Sequence, residues 1–251
     1  MLAEERHQVI RALLASEGKV LAGDLAQRFG VSEDTVRRDL RELAGAGQCR
    51  KVYGGALAPA SQPLSVSARL GKASSQKARL GKAAAKLVQP GQTLFIDAGT
   101  TNFNIAAALP HDFAFTVVTN APGVVSALSD HANATLIVLG GIFNRAEGAM
   151  AGAATIRDIE QVQADLFFLG GCALDAGAGV FATDPETAEV KRAMARRSRS
   201  VAIAATDEKF SAAAAFQVLD VDMLDHLVVE NTAPEPALAT WESRGTVIHY
   251  A

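Results

Sequence analysis

Gly30-Val31-Ser32-Glu33-Asp34-Thr35-Val36-Arg37-Arg38-Asp39-Leu40 is the stretch that decides how the first part of this chain folds. Gly30-Val31 makes a tight turn. The Ser32 hydroxyl can cap a helix, and Glu33 and Asp34 suit the positive end of that helix. Val36, Leu40 and Leu43 recur at helical spacing, so one stripe packs inward. Arg37, Arg38 and Arg41 fall on or beside the opposite face, and Gly45 and Gly47 close the helix. Upstream, Val9, Ile10, Leu13 and Leu14 mark a first helix ending at Gly18. Leu21, Leu25 and Phe29 mark a second, from about residue 20 to 29. Downstream, Arg50-Lys51-Val52-Tyr53-Gly54-Gly55-Ala56-Leu57 reads as a small β-hairpin around a glycine turn.

Three short helices, a tight turn before the third and a hairpin behind it describe a winged helix-turn-helix. Such a third helix fits the major groove of duplex DNA, and basic residues of the wing, here Arg50 and Lys51, grip phosphate. The net charge of −3 argues against a uniformly basic nucleic-acid binder, so the distribution of charge matters more. No acid occurs between Glu42 and Asp97, while Arg50, Lys51, Arg69, Lys72, Lys77, Arg79, Lys82 and Lys86 all fall there. The run over 69–86 reads either as a solvated helix face with a linker or as a further DNA contact. Pro59-Ala60-Ser61-Gln62-Pro63 reads as linker. The expected organisation is a DNA-binding module over 1–58, a linker over 59–73 and an α/β domain over 74–251.

That last assignment rests on alternation. After a basic helix over about 74–88 come seven short apolar runs: Thr93–Asp97, Phe115–Thr119, Thr135–Leu139, Leu166–Leu169, Val201–Ala205, His226–Val229 and Thr246–His249. Helical segments fit between most of them. This is the pattern of a parallel, Rossmann-like α/β sheet. Hydrophobic residues at 49% against 20% charged are enough for a packed core.

Ligands of open α/β sheets bind at the carboxyl edge of the strands. Here the first run ends in Asp97-Ala98-Gly99-Thr100-Thr101-Asn102. The loop reads either as an anion cradle, with helix N-terminal amides and two hydroxyls, or as an ordinary strand-to-helix turn capped by Thr100. Thr119-Asn120, Gly140-Gly141 and Gly170-Gly171-Cys172 end later runs at the same edge. Thr183-Asp184-Pro185-Glu186 opens a helix carrying Glu189, Lys191 and Arg192, and Asp207-Glu208-Lys209-Phe210 follows another run.

Arg6, Ile10 and Leu14 with the stretch 32–40 and the hairpin 50–56 resemble the N-terminal signature of the DeoR family of bacterial transcriptional regulators. The Asp97–Thr101 loop, Thr119-Asn120, Leu139-Gly140-Gly141, Gly152, the Glu186-to-Lys191 helix start and Lys209-Phe210 resemble that family's sensor domain, in order. The resemblance implies a sensor fold like ribose-5-phosphate isomerase and the coenzyme A transferases. It implies a double-stranded DNA operator and a phosphorylated sugar as partners, and repression relieved by that effector. It places Ser32, Thr35, Arg37 and Arg38 at DNA, with Asp39 holding an arginine rather than touching DNA. Gly99, Thr100 and Thr101 would hold phosphate, Asp97 and Asn120 sugar hydroxyls, and Lys191 and Lys209 would supply positive charge. The family's acid three residues before the last lysine is Thr206 here, which leaves the roles of Asp207 and Lys209 less defined.

Other functions fit less well. A sugar-phosphate isomerase could use Asp97, Glu186 and Lys191 for proton transfer but has no use for the N-terminal module. A dinucleotide-sensing redox regulator needs Gly-x-Gly-x-x-Gly after a strand, and Gly177-Ala178-Gly179 follows no convincing strand. The five histidines have no ligand spacing, and Cys49 and Cys172 are far apart, so neither a metal site nor a disulfide framework nor any cofactor is expected. Cys172 reads as a small buried thiol and Trp241 as core. The charged start, the absence of a long apolar run and the two cysteines suggest a cytoplasmic protein without membrane contact. A homo-oligomer, dimer or tetramer, is expected, because one winged helix covers only a half-site.

Overall fold

The structure, a computed structural model, describes residues 3–17, 19–46, 48–52, 54–57 and 74–251. The expected linker, the helix-ending Gly18 and Gly47, and Tyr53 of the hairpin lie outside them. The chain divides into two compact units, Met1–Pro63 and Leu64–Ala251.

The first unit runs α1 (Ala3–Glu17), β1 (Lys19–Leu21), α2 (Ala22–Phe29), α3 (Glu33–Gly45), β2 (Arg50–Val52) and β3 (Gly55–Leu57). Its core joins Ile10 and Leu14 to Leu25, Val36, Leu40 and Leu43, with Cys49 and Ala56 closing one side. Burial pushes the Cys49 thiol pKa up. The wing is larger than a hairpin: three antiparallel strands lie in the order β1-β3-β2. Residues 19–21 are therefore a strand and not the start of the second helix. Val20 is β-branched and pairs with Ala56, while the Ala22 amide donates to the Gly54 carbonyl at 2.8 Å. That crossing is tight, since a Cβ on Gly55 would lie 2.0 Å from the Val20 carbonyl oxygen.

The second unit is a seven-stranded sheet flanked by helices. Its elements begin with α4 (Ser74–Ala85), β4 (Thr93–Ile96), α5 (Thr100–Ala106), β5 (Phe115–Thr119), α6 (Pro122–Leu128) and β6 (Ala134–Val138). A hairpin, β7 (Ile142–Asn144) and β8 (Ala149–Ala151), leads to α7 (Ala153–Glu160) and β9 (Ala164–Phe168). Then come β10 (Ala173–Asp175), β11 (Gly179–Ala182), α8 (Pro185–Arg196), β12 (Ser198–Ala204) and β13 (Phe216–Leu219). The chain ends with β14 (His226–Val229), α9 (Glu235–Ser243) and β15 (Val247–Tyr250). α4 stops short of the expected Val88, because Lys86, Leu87 and Val88 donate three residues back and tighten the turn before Pro90-Gly91.

All seven expected strands are present, and every pairing in the sheet is parallel. The order is β15-β14-β12-β9-β4-β5-β6. Successive residues of a strand serve opposite faces. Leu94 and Ile96 pack with Leu80, Ile105, Val124 and Leu128 on one face. Phe95 packs with Phe167, Val190, Met194 and the fully buried Trp241 on the other. That second face also carries a small antiparallel sheet, β10-β11-β13, in which Gly177-Ala178 is the turn between paired strands. Strand order reverses at β4: β5 lies on one side of it and β9 on the other. The carboxyl ends of β4 and β9 therefore form the switch point where such sheets open a crevice.

Candidate nucleic-acid interface and effector site

α3 presents two distinct faces. Val36, Asp39, Leu40 and Leu43 are buried, whereas Ser32, Arg37, Arg38 and Arg41 are exposed and Thr35 is half-buried. Ser32 caps the helix: its hydroxyl accepts from the Thr35 amide at 3.3 Å and lies 3.0 Å from the Thr35 hydroxyl. Arg37 pairs with Glu33 at 2.7 Å and Asp34 at 3.5 Å, so both acids act on a neighbouring arginine as well as on the helix end. Arg38 reaches Glu42 only at 3.5 Å, and the Arg41 Nε donates to the Arg37 carbonyl at 3.4 Å. In the wing, Lys51 is exposed on β2 opposite Ala56, and Arg50 pairs with Leu57. Asp39 points away from this face and grips Arg6, as expected for an acid that orders an arginine.

At the switch point of the sheet, Asp97 and Lys191 meet. Both are buried, and the Lys191 ammonium donates to Asp97 Oδ2 and, at 2.8 Å, to the Gly170 carbonyl. Asp97 Oδ1 accepts from the Gly170 amide and from Asn102 Nδ2, each at 2.7 Å. Asn102 also donates to the Phe168 carbonyl at 2.9 Å, so the ends of β4 and β9 are stitched together. The approach requires glycine at 170, where a Cβ would lie 2.4 Å from the Ala98 carbonyl oxygen. Burial works against the Lys191 charge, but Asp97, the Cys172 thiol and Glu147 outweigh it and raise the pKa.

Asp97, expected at a sugar hydroxyl, and Lys191, expected to supply positive charge, thus pair with each other in this structure. Gly99, not Thr100, is the N-cap of α5; Thr100 is buried in its first turn and Thr101 is half-buried. At the end of β5 the Thr119 hydroxyl is committed to backbone, donating to Ile96 at 2.6 Å and accepting from Ala121 at 3.1 Å. Asn120 is different. Its Nδ2 donates to the Met150 carbonyl at 2.7 Å, but its buried Oδ1 has no hydrogen-bond partner. Gly140 accepts from Thr155 at 2.7 Å, and a Cβ on Gly141 would sit 2.1 Å from that same hydroxyl. Glu186 is exposed in the first turn of α8, behind an Asp184 cap. Lys209 is half-buried and makes no ion pair with any described residue; neighbouring Asp207 accepts from Thr232 at 2.6 Å.

A model of the DeoR C terminal sensor domain matches residues 72–231, and a DeoR-like helix-turn-helix domain matches residues 6–62. The chain belongs to the DeoR family. Relatives of this family member include an uncharacterised helix-turn-helix transcriptional regulator of Escherichia coli, YgbI, 33% identical with 94% of this chain and 93% of the relative covered. The glycerol-3-phosphate regulon repressor of the same organism is 32% identical, with 94% and 93% covered. Among solved structures, ribose 5-phosphate isomerase A of Methanocaldococcus jannaschii overlaps 55% of this chain and 54% of its own, at 11% identity and a TM-score of 0.41. The protein is a DNA-binding transcriptional regulator with a helix-turn-helix domain and an α/β sensor domain.

Two residues of this regulator's site escape sequence reasoning. Glu147, in the β7–β8 turn, is buried, accepts from Thr183 at 3.2 Å and raises the pKa of the distant Lys191. Asn102 reads as one more polar residue of a helix start, yet it is the bridge between β4 and β9. No spacing rule marks Glu147, because its partners come from different elements. Cys172 is half-buried beside Lys191 rather than enclosed. Four of the five histidines, unremarkable in spacing, pair in space: His111 stacks on His131, and His226 Nδ1 lies 3.2 Å from His249 Nε2.

Proposed function

We propose that this DeoR-family regulator represses a carbohydrate-catabolism operon and is released from its operator by a phosphorylated sugar or related metabolite. It works in the cytoplasm as a homo-oligomer, dimer or tetramer, with a DNA-binding module over 1–58, a linker over 59–73 and a sensor over 74–251. Ser32, Thr35, Arg37, Arg38 and Arg41 meet the major groove and its flanking phosphates, while Arg50 and Lys51 meet phosphate from the wing.

The observation that carries the sensor half is Asn120. A buried amide oxygen without a partner is costly unless something donates to it, and a ligand hydroxyl is the fitting donor. Asn120 ends the strand paired with β4, so it adjoins the Gly99-Thr100-Thr101 loop, whose amides and hydroxyls suit an anion. Lys209 adds charge to the same carboxyl edge. Gly140 and Gly141 shape it, Thr119 orients the turn, and Glu186 rims it. Asp97 and Lys191, paired with each other, hold the loop, with Asp97 set for a sugar hydroxyl and Lys191 supplying positive charge. The relative named for the glycerol-3-phosphate regulon supports a phosphorylated effector.

Catalysis is not part of this reading. The isomerase alternative needs a free acid–base pair, whereas Asp97 and Lys191 neutralise each other in the interior and Glu186 is exposed. The test is operator binding and thermal shift with glycerol 3-phosphate, pentose phosphates, hexose phosphates and their unphosphorylated parents. One phosphorylated compound should raise Tm and release DNA, and its parent should do neither. Operator binding unaffected by every compound would overturn the sensor half. Turnover of a pentose phosphate would restore the isomerase.

A further inference from the structure

β6 is one edge of the parallel sheet, and no strand among the described residues pairs with its outer side. Edge strands present a row of free amides and carbonyls, and isolated proteins blunt them with charge, proline or a bulge. This edge carries none of those guards. Residues 132–144 contain no charged residue, no histidine and no proline. Ile137 and Val138 are 45% and 52% exposed, and Ile142 and Phe143 of β7 are 76% and 48% exposed. Four of the nine large hydrophobic residues exposed among the described residues thus fall within seven positions. A concentration of this kind marks an interaction surface rather than scattered surface apolarity.

We propose that β6 and β7 form the interface between two copies of this chain, with β6 pairing antiparallel to its counterpart about a two-fold axis near Leu136. This rests on the reading above that the regulator works as a homo-oligomer. A second copy is the occupant that suits the surface. The chain carries a net charge of −3, so two copies meeting through a charged face oppose like charges, and the neutral run avoids this. The neutrality also gives a charged partner nothing to recognise. Antiparallel self-pairing uses the same edge of each copy, so it closes at two and leaves no free β6 edge behind. It would set Thr135 opposite Ile137 of the other copy, and Ala134 opposite Val138, the register of five-residue strands centred on Leu136.

Analytical ultracentrifugation of the full chain is the test, with an Ile137→Lys/Ile142→Lys variant and a Val247→Lys control on the opposite edge, β15. The wild type and the control should sediment as dimers or larger, and the double variant should lose half the mass with its circular dichroism unchanged. A Leu136→Cys variant covers the case in which the lysine variant fails to fold. Mild oxidation should trap it as a covalent dimer on a non-reducing gel, while wild type, with Cys49 and Cys172 alone, stays a single chain. A double variant as oligomeric as wild type, or a Leu136→Cys chain that never cross-links while wild type sediments as a dimer, overturns the interface and leaves the homo-oligomer intact. A monomeric wild type overturns both.

Discussion

Arg6 and Asp39, 33 positions apart, are locked together by two hydrogen bonds, Nε to Oδ2 at 2.7 Å and Nη2 to Oδ1 at 3.0 Å, with both side chains almost wholly out of water. The pair fixes α1 against the inner face of α3, opposite the exposed Arg37, Arg38 and Arg41. An acid inside a run of arginines is thereby turned inward and used to set α3.

Removing one partner leaves the other charged and buried. We expect Asp39→Ala to destabilise the N-terminal unit by about 3–5 kcal/mol. Burial pushes the Asp39 carboxyl up, but the hydrogen bonds and charge of Arg6, with His7 adding, outweigh it and hold its pKa below the ordinary value. The unfolded chain therefore takes up the proton first as pH falls. The contribution of Asp39 is complete above the ordinary carboxylate pKa of about 3.9 and disappears as pH drops through the depressed value. Melts of wild type and Asp39→Asn should converge on acidification; a constant gap from neutral pH to about pH 2 would show that the pair does not titrate there.

On the exposed face of α3 the two neighbouring arginines are unequal. Arg37 is held by Glu33 and Asp34, whereas the Arg38 side chain is 77% exposed and reaches Glu42 only at 3.5 Å. Arg38→Ala should weaken operator binding by about 1–3 kcal/mol if it reads a base, or lower the salt dependence by about one counterion if it holds phosphate. Exposed pairs such as Arg37–Glu33 are worth little, so Glu33→Gln should release Arg37, remove a negative charge beside DNA and tighten binding. Fluorescence anisotropy across a salt series distinguishes these outcomes, and an Arg38→Ala chain with wild-type affinity would take this side chain out of the interface.

Much of this was legible in sequence. Seven apolar runs mapped onto seven strands because parallel strands read as near-continuous apolar runs separated by helices, and even the partly exposed edge strands β6 and β15 keep that pattern. The N-terminal stripe Val36-Leu40-Leu43 and the Ser32 cap were equally plain. β1 was not, because a three-residue strand preceding a helix shares its apolar residues with that helix; Val20 and Leu21 serve either period. The hairpins β7–β8 and β10–β11 were hidden because their strands are only three and four residues long, and β8, β10 and β11 draw on alanine or glycine. Within the site, the sequence singled out both Asp97 and Lys191 but not that they pair with each other, because Lys191 lies 94 positions away.

That burial changes which threonine tests the sensor. Thr100 is buried in the first turn of α5, so an aspartate there would disturb packing as well as charge. Thr101 is half-buried and its change is cleaner. We expect Thr101→Asp to put negative charge where phosphate belongs, abolish the effector's thermal shift and leave operator affinity unchanged. The variant would repress without responding to inducer. Calorimetry giving wild-type affinity for a phosphosugar that binds the parent protein would move the phosphate away from this loop.

The buried Asp97–Lys191 pair makes a prediction of a different kind, since it stands where other sheets of this topology leave room for ligand. Lys191→Met strands Asp97 in the interior with only the Asn102 and Gly170 donors, and should cost about 3–5 kcal/mol of stability. Asp97→Asn strands the ammonium and should cost a similar amount. Removing both charges at once leaves neither unpaired, so the double variant should be more stable than the sum of the single losses implies, by a coupling of about 0.5–3 kcal/mol. If the pair only holds the loop, the double variant should also regain effector binding, because the side-chain amide oxygen introduced at position 97 could still accept from Gly170. If Lys191 instead swings out to meet the ligand's phosphate, stability would return while effector binding stayed lost. Urea denaturation of the four chains alongside titration with the effector separates positioning from contact, and additive losses in stability would dissolve the pair as a unit altogether.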